Sequence, residues 1–209
     1  MGTTSKRVSI TMLFTHKWQV WLTQVRVLGT QEVAVFLCNY NDDTNVYLVD
    51  TPGFKDTDRS DSDILREIAS WLSASYSNKI KLHGIIYLHP ITDARMQGSA
   101  KRNLYMSKKL CGNNALKNVV LATTMWERVH EEDGIQRESQ LKEKQDFWGY
   151  MLDNGNQIHR HFNHRDSAIS LIRSLVGRSS VNAKVVLDIQ AELVDHGKDS
   201  RRHSCWSSS

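Results

Sequence analysis

Residues 45–54 read Asn-Val-Tyr-Leu-Val-Asp-Thr-Pro-Gly-Phe, and this stretch decides the fold class. Its hydrophobic run predicts a strand that ends at Asp50, and Gly53 follows three positions later. A carboxylate at the end of a strand holds Mg²⁺ through water, and a glycine amide can approach a γ-phosphate because no side chain intervenes. Asp-x-x-Gly alone is an ordinary turn sequence. Here a strand precedes it and a helix follows, so the pattern indicates a magnesium–phosphate site.

Strand-like runs alternate with helical patterns along the rest of the chain. Strands are predicted at residues 32–38, 45–50, 82–89, 117–122 and 157–161, and helices at 61–76, 100–111, 136–152 and 166–176. This alternation predicts an α/β fold of three layers, with a mostly parallel sheet and helices on both faces. Ligands of such sheets bind at the carboxyl ends of the strands.

Composition and charge exclude several classes of protein. With 209 residues and 40% hydrophobic content, the chain is long enough for one domain with a core, and no apolar run reaches the roughly 20 residues of a transmembrane segment. The net charge of +4 comes from residues 1–31, which carry four basic and no acidic residues. The remaining 23 basic and 23 acidic residues balance, so no nucleic-acid partner is expected. Three widely spaced cysteines favour a reducing, cytoplasmic location.

Several short segments, in a fixed order, carry a resemblance to a known family. They are residues 30–33, 50–54, 65–72, 84–89, 93–96, 109–112 and 120–126. On these segments the chain resembles the P-loop GTPase superfamily, and especially a fungal group of G domain proteins that is similar to the immune-associated and septin-like GTPases. The resemblance covers about residues 30–176 and implies a G domain fold with GTP and Mg²⁺ as ligands.

The resemblance assigns one set of residues to the phosphates. Asp50 and Gly53 look like the magnesium and γ-phosphate residues of the second switch, with Thr51 and Pro52 between them. Thr30 resembles the first-switch threonine that reaches Mg²⁺ and the attacking water. The implied metal residues are therefore Thr30 and Asp50. Without the family context, Thr30 reads as an ordinary loop threonine.

A second set is assigned to the nucleobase. G domains usually carry Asn/Thr-Lys-x-Asp after the fifth strand, whereas this chain has Thr123, Thr124, a methionine and Trp126, with Glu127 one place late. Trp126 can stack on a base, although a tryptophan at such a junction is more often a packing residue. Asn163 resembles the loop asparagine that touches the base in immune-associated relatives. Guanine as the base is thus implied by the family resemblance alone, because the base-specificity motif is not intact in this sequence.

Two departures from the family pattern concern the phosphates. The Gly-x-x-x-x-Gly-Lys-Ser/Thr loop that cradles the β-phosphate is absent from the sequence. Phe54 stands where Ras-like enzymes have a water-orienting glutamine. The strand that normally precedes the loop, central in the sheet, is therefore expected to be lacking or substituted, with residues 18–22 as the candidate substitute.

The sequence thus divides into an atypical segment 1–28, an incomplete G domain core 29–177 and a C-terminal helix and tail 178–209. The implied function is GTP binding, with a guanine nucleotide and an unidentified protein as partners. The two departures argue against GTP hydrolysis, and the catalytic residues stay unassigned. The alternative is a protein-binding module, derived from a degenerate G domain, that needs no nucleotide.

Overall fold

Among the residues that the computed structural model describes, six strands form one sheet. The described residues are 7–14, 33–42, 44–51, 60–78, 84–93 and 118–179, with the single positions 82, 101, 104, 105, 108, 112 and 116. The strands are β1 (Arg7–Phe14), β2 (Ala34–Asn41), β3 (Thr44–Thr51), β4 (Gly84–Pro90), β5 (Val119–Thr124) and β6 (Gln157–Arg160). Their order across the sheet is β2-β3-β1-β4-β5-β6, and all neighbours run parallel except β2 and β3.

The helices match the predicted positions with one exception. They are α1 (Asp61–Ser77), α2 (Glu131–Glu143), α3 (Tyr150–Asp153) and α4 (Arg165–Ser179). Residues 101, 104, 105 and 108 are helical too, inside the segment predicted as the second helix. No helix in the described part of the chain is both long and apolar enough to cross a membrane.

The central position of the sheet is filled by β1. This strand pairs with β3 on one side, where Phe14 lies opposite Thr51, and with β4 on the other, where Phe14 lies opposite Tyr87. The expectation of a lacking strand is therefore corrected, and the substitute comes from residues 7–14 instead of 18–22, which lie outside the described residues. Part of the predicted atypical segment 1–28 thus forms the middle of the sheet.

Alternate strand residues face two separate cores, because successive side chains of a strand point to opposite faces. One core joins the sheet to α1 and takes from the strands Val49, Ile85, Tyr87, Val119 and Leu121. The other joins the sheet to α4 and takes from the strands Cys38, Val46, Leu48, Ile86, Leu88, Val120 and Ala122. Helices on both faces of a mostly parallel sheet confirm the predicted three-layer arrangement.

Helix α1 forms where its spacing predicts. Ser60 has extended backbone angles, and its Oγ accepts a hydrogen bond from the backbone N–H of Asp63 at 3.2 Å, which caps the helix. Ile64, Ile68 and Leu72, one or two turns apart, are fully buried against the sheet. The cap and the apolar stripe together fix where the helix begins and which face it buries.

The predicted helix 136–152 is wrong as a single element. Helix α2 ends at Glu143, and a wider turn over Gln145–Gly149 follows, with non-helical angles at Phe147. The turn carries Trp148 into the core, where it is completely buried. Gly149 fits there because an added Cβ would come within 3.0 Å of the Lys144 carbonyl group. The helix is therefore interrupted at the point where the Trp148 indole enters the core, although the sequence pattern predicts a continuous helix.

Candidate functional site

The carboxyl ends of five parallel strands meet at one edge of the sheet, which we call the carboxyl edge. It is formed by the ends of β3, β1, β4, β5 and β6 at Thr51, Phe14, Pro90, Thr124 and Arg160. Neighbouring strands lie about 4.8 Å apart, so β3 and β6 are roughly 19 Å apart along this edge.

At one end of the carboxyl edge, Asp50 and Thr51 close strand β3. Both are buried, with Asp50 only 2% exposed. In the sheet register, Asp50 lies opposite Leu13 of the central strand and Ala34 of β2. The structure thus places the predicted magnesium carboxylate beside the end of β1.

The other predicted phosphate residues are Thr30, Pro52 and Gly53, and they lie outside the described residues, as does Phe54. The described part of the chain holds no group of three or more His, Cys, Asp or Glu side chains able to bind a metal ion. Magnesium usually keeps several waters and takes one or two carboxylates plus substrate phosphates. Asp50 fits that mode of binding, in which most ligands come from water and nucleotide.

Side chains at the end of β5 and in the loop after it are hydrogen-bonded to each other and to β6. Trp126 donates its Nε1–H to Thr123 Oγ1 at 2.9 Å, and Thr123 Oγ1 donates to the His159 carbonyl at 3.4 Å. Thr123, Thr124 and Trp126 are all buried. Met125 between them has a φ of 61°, a left-handed conformation that is unusual for a residue other than glycine. The sequence offered no signal for this strained position.

Three neighbours surround the Trp126 indole. The Arg160 guanidinium lies 4.2 Å from the ring centre, and the Phe162 ring lies 6.2 Å away at a tilt of 49°. Helix α2 approaches at Gly134, where an added Cβ would come within 2.6 Å of the indole. The predicted base-stacking residue Trp126 thus sits in a packed position.

A buried carboxylate links α2 to β6. Glu138, 4% exposed, accepts two hydrogen bonds from Arg160, at 3.1 and 2.9 Å, and one from Lys142 at 3.0 Å. Burial alone would raise the pKa of Glu138, but the hydrogen bonds from both cations outweigh it and the pKa is lowered. The hydrogen bond to Glu138 in turn raises the pKa of Arg160. The sequence did not predict this network, because its members meet only in the folded chain.

The loop after β6 is held by a serine and a histidine. The His161 N–H donates to the Thr123 carbonyl at 2.8 Å, and His161 Nδ1 lies 2.8 Å from Ser167 Oγ. Burial, reinforced by the neighbouring His164, lowers the pKa of His161. Asn163 is exposed beyond this anchor, with a φ of 55°. Asparagine tolerates this left-handed conformation better than most residues do.

An open cleft of about 610 Å³ lies on the α2 side of the β5 loop. Its lining residues are Thr92, Glu127, Arg128, Val129, His130, Asp133 and Arg137. Arg137 donates to the carbonyls of Ile91 and Thr92 at 3.0 and 3.2 Å, which ties the loop after β4 to α2. Glu127, the carboxylate one place late in the base motif, therefore lines this cleft.

The structure therefore brings together four predicted base residues at one end of the carboxyl edge. Thr123 and Trp126 are hydrogen-bonded, Thr124 closes β5, and Asn163 lies in the neighbouring loop. Asp50, predicted for magnesium, lies at the other end. Sequence reasoning missed the network of Glu138 and the aromatic side chain of Phe162, which is 49% exposed.

Comparison with known proteins identifies the fold. No family model and no curated protein sequence matches the chain. Toc33 from Arabidopsis thaliana, in complex with Mg²⁺ and GMPPNP, matches with a TM-score of 0.63 at 11% identity, over 87% of this chain and 88% of that one. A dimerization-deficient mutant of Toc33 matches with a TM-score of 0.64 at 12% identity, over the same shares of both chains.

Two further GTP-binding proteins share the fold over part of their length. SelB from Methanococcus maripaludis, in complex with a GTP analogue, matches with a TM-score of 0.53 at 11% identity, over 87% of this chain and 36% of that one. Era, in complex with MgGDPNP and nucleotides of 16S ribosomal RNA, matches with a TM-score of 0.52 at 11% identity, over 81% of this chain and 57% of that one. The fold is thus that of a G domain of the P-loop NTPase type, and the predicted fold class is confirmed.

Loss of Arg160 should destabilise the protein much more than loss of Lys142. Arg160→Met keeps an apolar stem against Trp126 but leaves the buried Glu138 carboxylate without its bidentate partner, which we expect to cost about 3 kcal/mol. Lys142→Met removes a half-exposed cation and should cost under about 1 kcal/mol. Urea denaturation of both variants measures the difference. Equal losses would contradict the assigned role of Arg160.

Acidification should destabilise the protein through His161. Because its pKa is lower in the folded protein than the ordinary 6.5, the unfolded chain binds more protons at mildly acidic pH. The free energy of unfolding should therefore fall as pH drops from about 7.5 to about 5.5. His161→Gln should flatten this dependence, whereas the exposed His130→Gln should leave it unchanged. Urea denaturation at several pH values tests this, and an unaltered slope in His161→Gln would refute it.

Proposed function

We propose that the chain is a cytoplasmic GTP-binding protein of the G domain type, with Mg²⁺ as the accompanying ion. Within that type we place it in a fungal group that is similar to the immune-associated and septin-like GTPases. The observation that carries the proposal is Asp50, a buried carboxylate that ends β3 beside the central strand. A carboxylate at that point of a G domain holds Mg²⁺ through water.

The roles divide between the two ends of the carboxyl edge. Asp50 orients the Mg²⁺ hydration shell, and Thr30 and Gly53 are assigned to Mg²⁺ and the γ-phosphate by resemblance. Thr51 and Pro52, between Asp50 and Gly53 in the sequence, are assigned to the nucleotide by the same resemblance. Mg²⁺, when bound, neutralises phosphate charge. At the far end, the loops of Thr123, Thr124, Trp126 and Asn163 are assigned to the base.

Phosphate binding is proposed to be weaker than in a G domain with a complete phosphate loop. After β1 ends at Phe14, the first glycine in the sequence is Gly29, so no glycine-rich cradle follows the strand. With Phe54 after the Asp-x-x-Gly sequence, no glutamine stands there to orient water, and we propose negligible hydrolysis by the chain alone. The protein then acts by binding an unidentified protein partner in a nucleotide-dependent way.

Nucleic acid is not part of the proposal. Era is known in complex with ribosomal RNA, but residues 32–209 of this chain carry equal numbers of acidic and basic residues. Non-specific binding to nucleic acid depends on an excess of Lys and Arg that neutralises phosphates. The charge balance supports a protein partner over RNA.

Nucleotide binding can be tested by thermal shift with Mg²⁺ and a non-hydrolysable GTP analogue. Ligand at about 100 times its Kd should add roughly 2.7 kcal/mol to the free energy of unfolding. Asp50→Asn should abolish this gain, because it removes the carboxylate charge while keeping its size. The control Asp166→Asn alters an exposed carboxylate in the first turn of α4 and should retain the gain.

Folding of Asp50→Asn is checked by circular dichroism before its result is used. A folded wild-type protein that gives no shift up to millimolar nucleotide would contradict the proposal. That outcome would favour the protein-binding module that needs no nucleotide.

A further inference from the structure

Strand β2 forms one edge of the sheet and pairs with β3 alone among the strands of the described residues. In an antiparallel pair, every second residue of a strand directs its backbone N–H and C=O groups away from the partner strand. Natural proteins protect such an edge with lysine, proline, a bulge or a covering segment, because it can otherwise pair with another chain. The residues along β2 therefore show whether a further strand can be added there.

The first part of β2 carries none of the protections that lie within a strand. Residues 34–38 include no charged residue and no proline, and the irregularity in the register lies beyond them, between Asn39 and Asn41. The start of the strand is fixed by a hydrogen bond of 2.6 Å from the Val33 N–H to Glu67 Oε1 of α1. Residues 34–38 thus form a regular, anchored edge.

The exposed side chains of this edge are apolar. Val35 and Leu37 point to the α1 face of the sheet and are 50% and 43% exposed, whereas Phe36 and Cys38 pack on the α4 face. At the opposite edge of the sheet, β6 has only four residues and ends in the charged Arg160. Of the two edges, β2 is therefore the one suited to pair with another chain.

The sequence of β2 is complementary to itself about a two-fold axis. When two copies pair antiparallel with the axis at Phe36, Val35 of one copy lies opposite Leu37 of the other, and Leu37 lies opposite Val35. The exposed side chains then form one apolar cluster, and cross-strand pairs of this kind stabilise a sheet. An axis at Leu37 would instead bring the polar Asn39 opposite Val35. The pairing centred on Phe36 is therefore the favoured register.

We propose that β2 is a dimerisation edge and that its partner is a second copy of this chain, paired antiparallel through residues 34–38. A second copy is favoured over an unrelated protein because the exposed apolar pair meets its own counterpart, and β2 carries no charge that would repel its copy or select another partner. One pair of short strands buries less than the roughly 1,200 Å² of a standard interface, so the dimer should be reversible, with a Kd weaker than about 1 μM.

The geometry of this dimer leaves both carboxyl edges accessible. Strand β2 runs antiparallel to β3, so it begins at the carboxyl edge, where Ala34 lies opposite Asp50. In the antiparallel pair, β2 of the second copy begins at the other end of the junction. The two carboxyl edges therefore lie at opposite borders of one joined sheet. Dimerisation is thus independent of nucleotide binding, and this inference does not rest on the proposed function.

Sedimentation velocity of the full chain, from low to high micromolar concentration, tests the pairing. Wild-type protein should shift from one chain to two as its concentration rises, and peptides spanning residues 34–38 should then exchange amide hydrogen several-fold more slowly. The double variant Val35→Lys/Leu37→Lys should stay monomeric, because its lysines face lysines. The control Ile135→Lys charges another exposed aliphatic position, 46% exposed on α2, and should dimerise like wild type.

A charge exchange tests the register. Val35→Glu/Leu37→Glu should also be monomeric, but an equimolar mixture with the lysine variant should associate at low ionic strength, because every lysine then faces a glutamate. Circular dichroism confirms that both variants are folded. A mixture that stays monomeric would overturn the pairing centred on Phe36.

Three other results would overturn the proposal. Folded wild-type protein that remains a single chain at the highest concentration has no dimerisation edge. A dimer that survives the lysine replacements uses another surface. Slow exchange of residues 34–38 at the lowest concentration, where the protein is monomeric, would show that a segment of the same chain covers the edge. None of these results bears on nucleotide binding, so the proposed function would stand or fall separately.

Discussion

The pairing of β1 with β3 on one side and β4 on the other is the constraint on which the rest of the structure depends. Without a strand between them, β3 and β4 would expose two unpaired edges in the middle of the sheet. With it, the ends of β3, β4, β5 and β6 are held at strand spacing along one edge. Asp50 and the loops after β5 and β6 thereby lie along the same edge of the sheet, although more than a hundred residues separate Asp50 from the loop after β6 in the sequence.

The far end of that edge is organised by buried polar groups. Glu138 fixes Arg160 against the Trp126 indole, and His161 joins the β6 loop to the carbonyl of Thr123. Buried polar groups of this kind are costly unless all are paired, so they specify one arrangement of the two loops. A consequence is that Thr123 and Trp126, which the sequence assigned to the base, are engaged in hydrogen bonds within the fold.

Local patterns predicted much of the fold and part of the site. Strands such as 45–50 and helix α1 follow from apolar periodicity and a serine cap, and the Asp-x-x-Gly sequence correctly placed Asp50 near the carboxyl end of a strand. The central strand was missed for two reasons. Residues 7–11 alternate polar and apolar side chains, unlike the continuous apolar run of a strand buried on both faces, and no glycine-rich loop follows them in the sequence. The break after α2 and the role of Glu138 were missed because burial of Trp148 and the meeting with Arg160 arise from tertiary contacts that no local window contains.

Native-state hydrogen exchange of the backbone amides in residues 8–13 tests the central claim most directly. If β1 is the paired centre of the sheet, these amides should exchange only through global unfolding, with protection equal to that of residues 85–89 in β4. The result predicted here is the same protection factor in both strands, decreasing in parallel as urea is added. Exchange of residues 8–13 at the rate of an unstructured peptide, while β4 stays protected, would contradict the account.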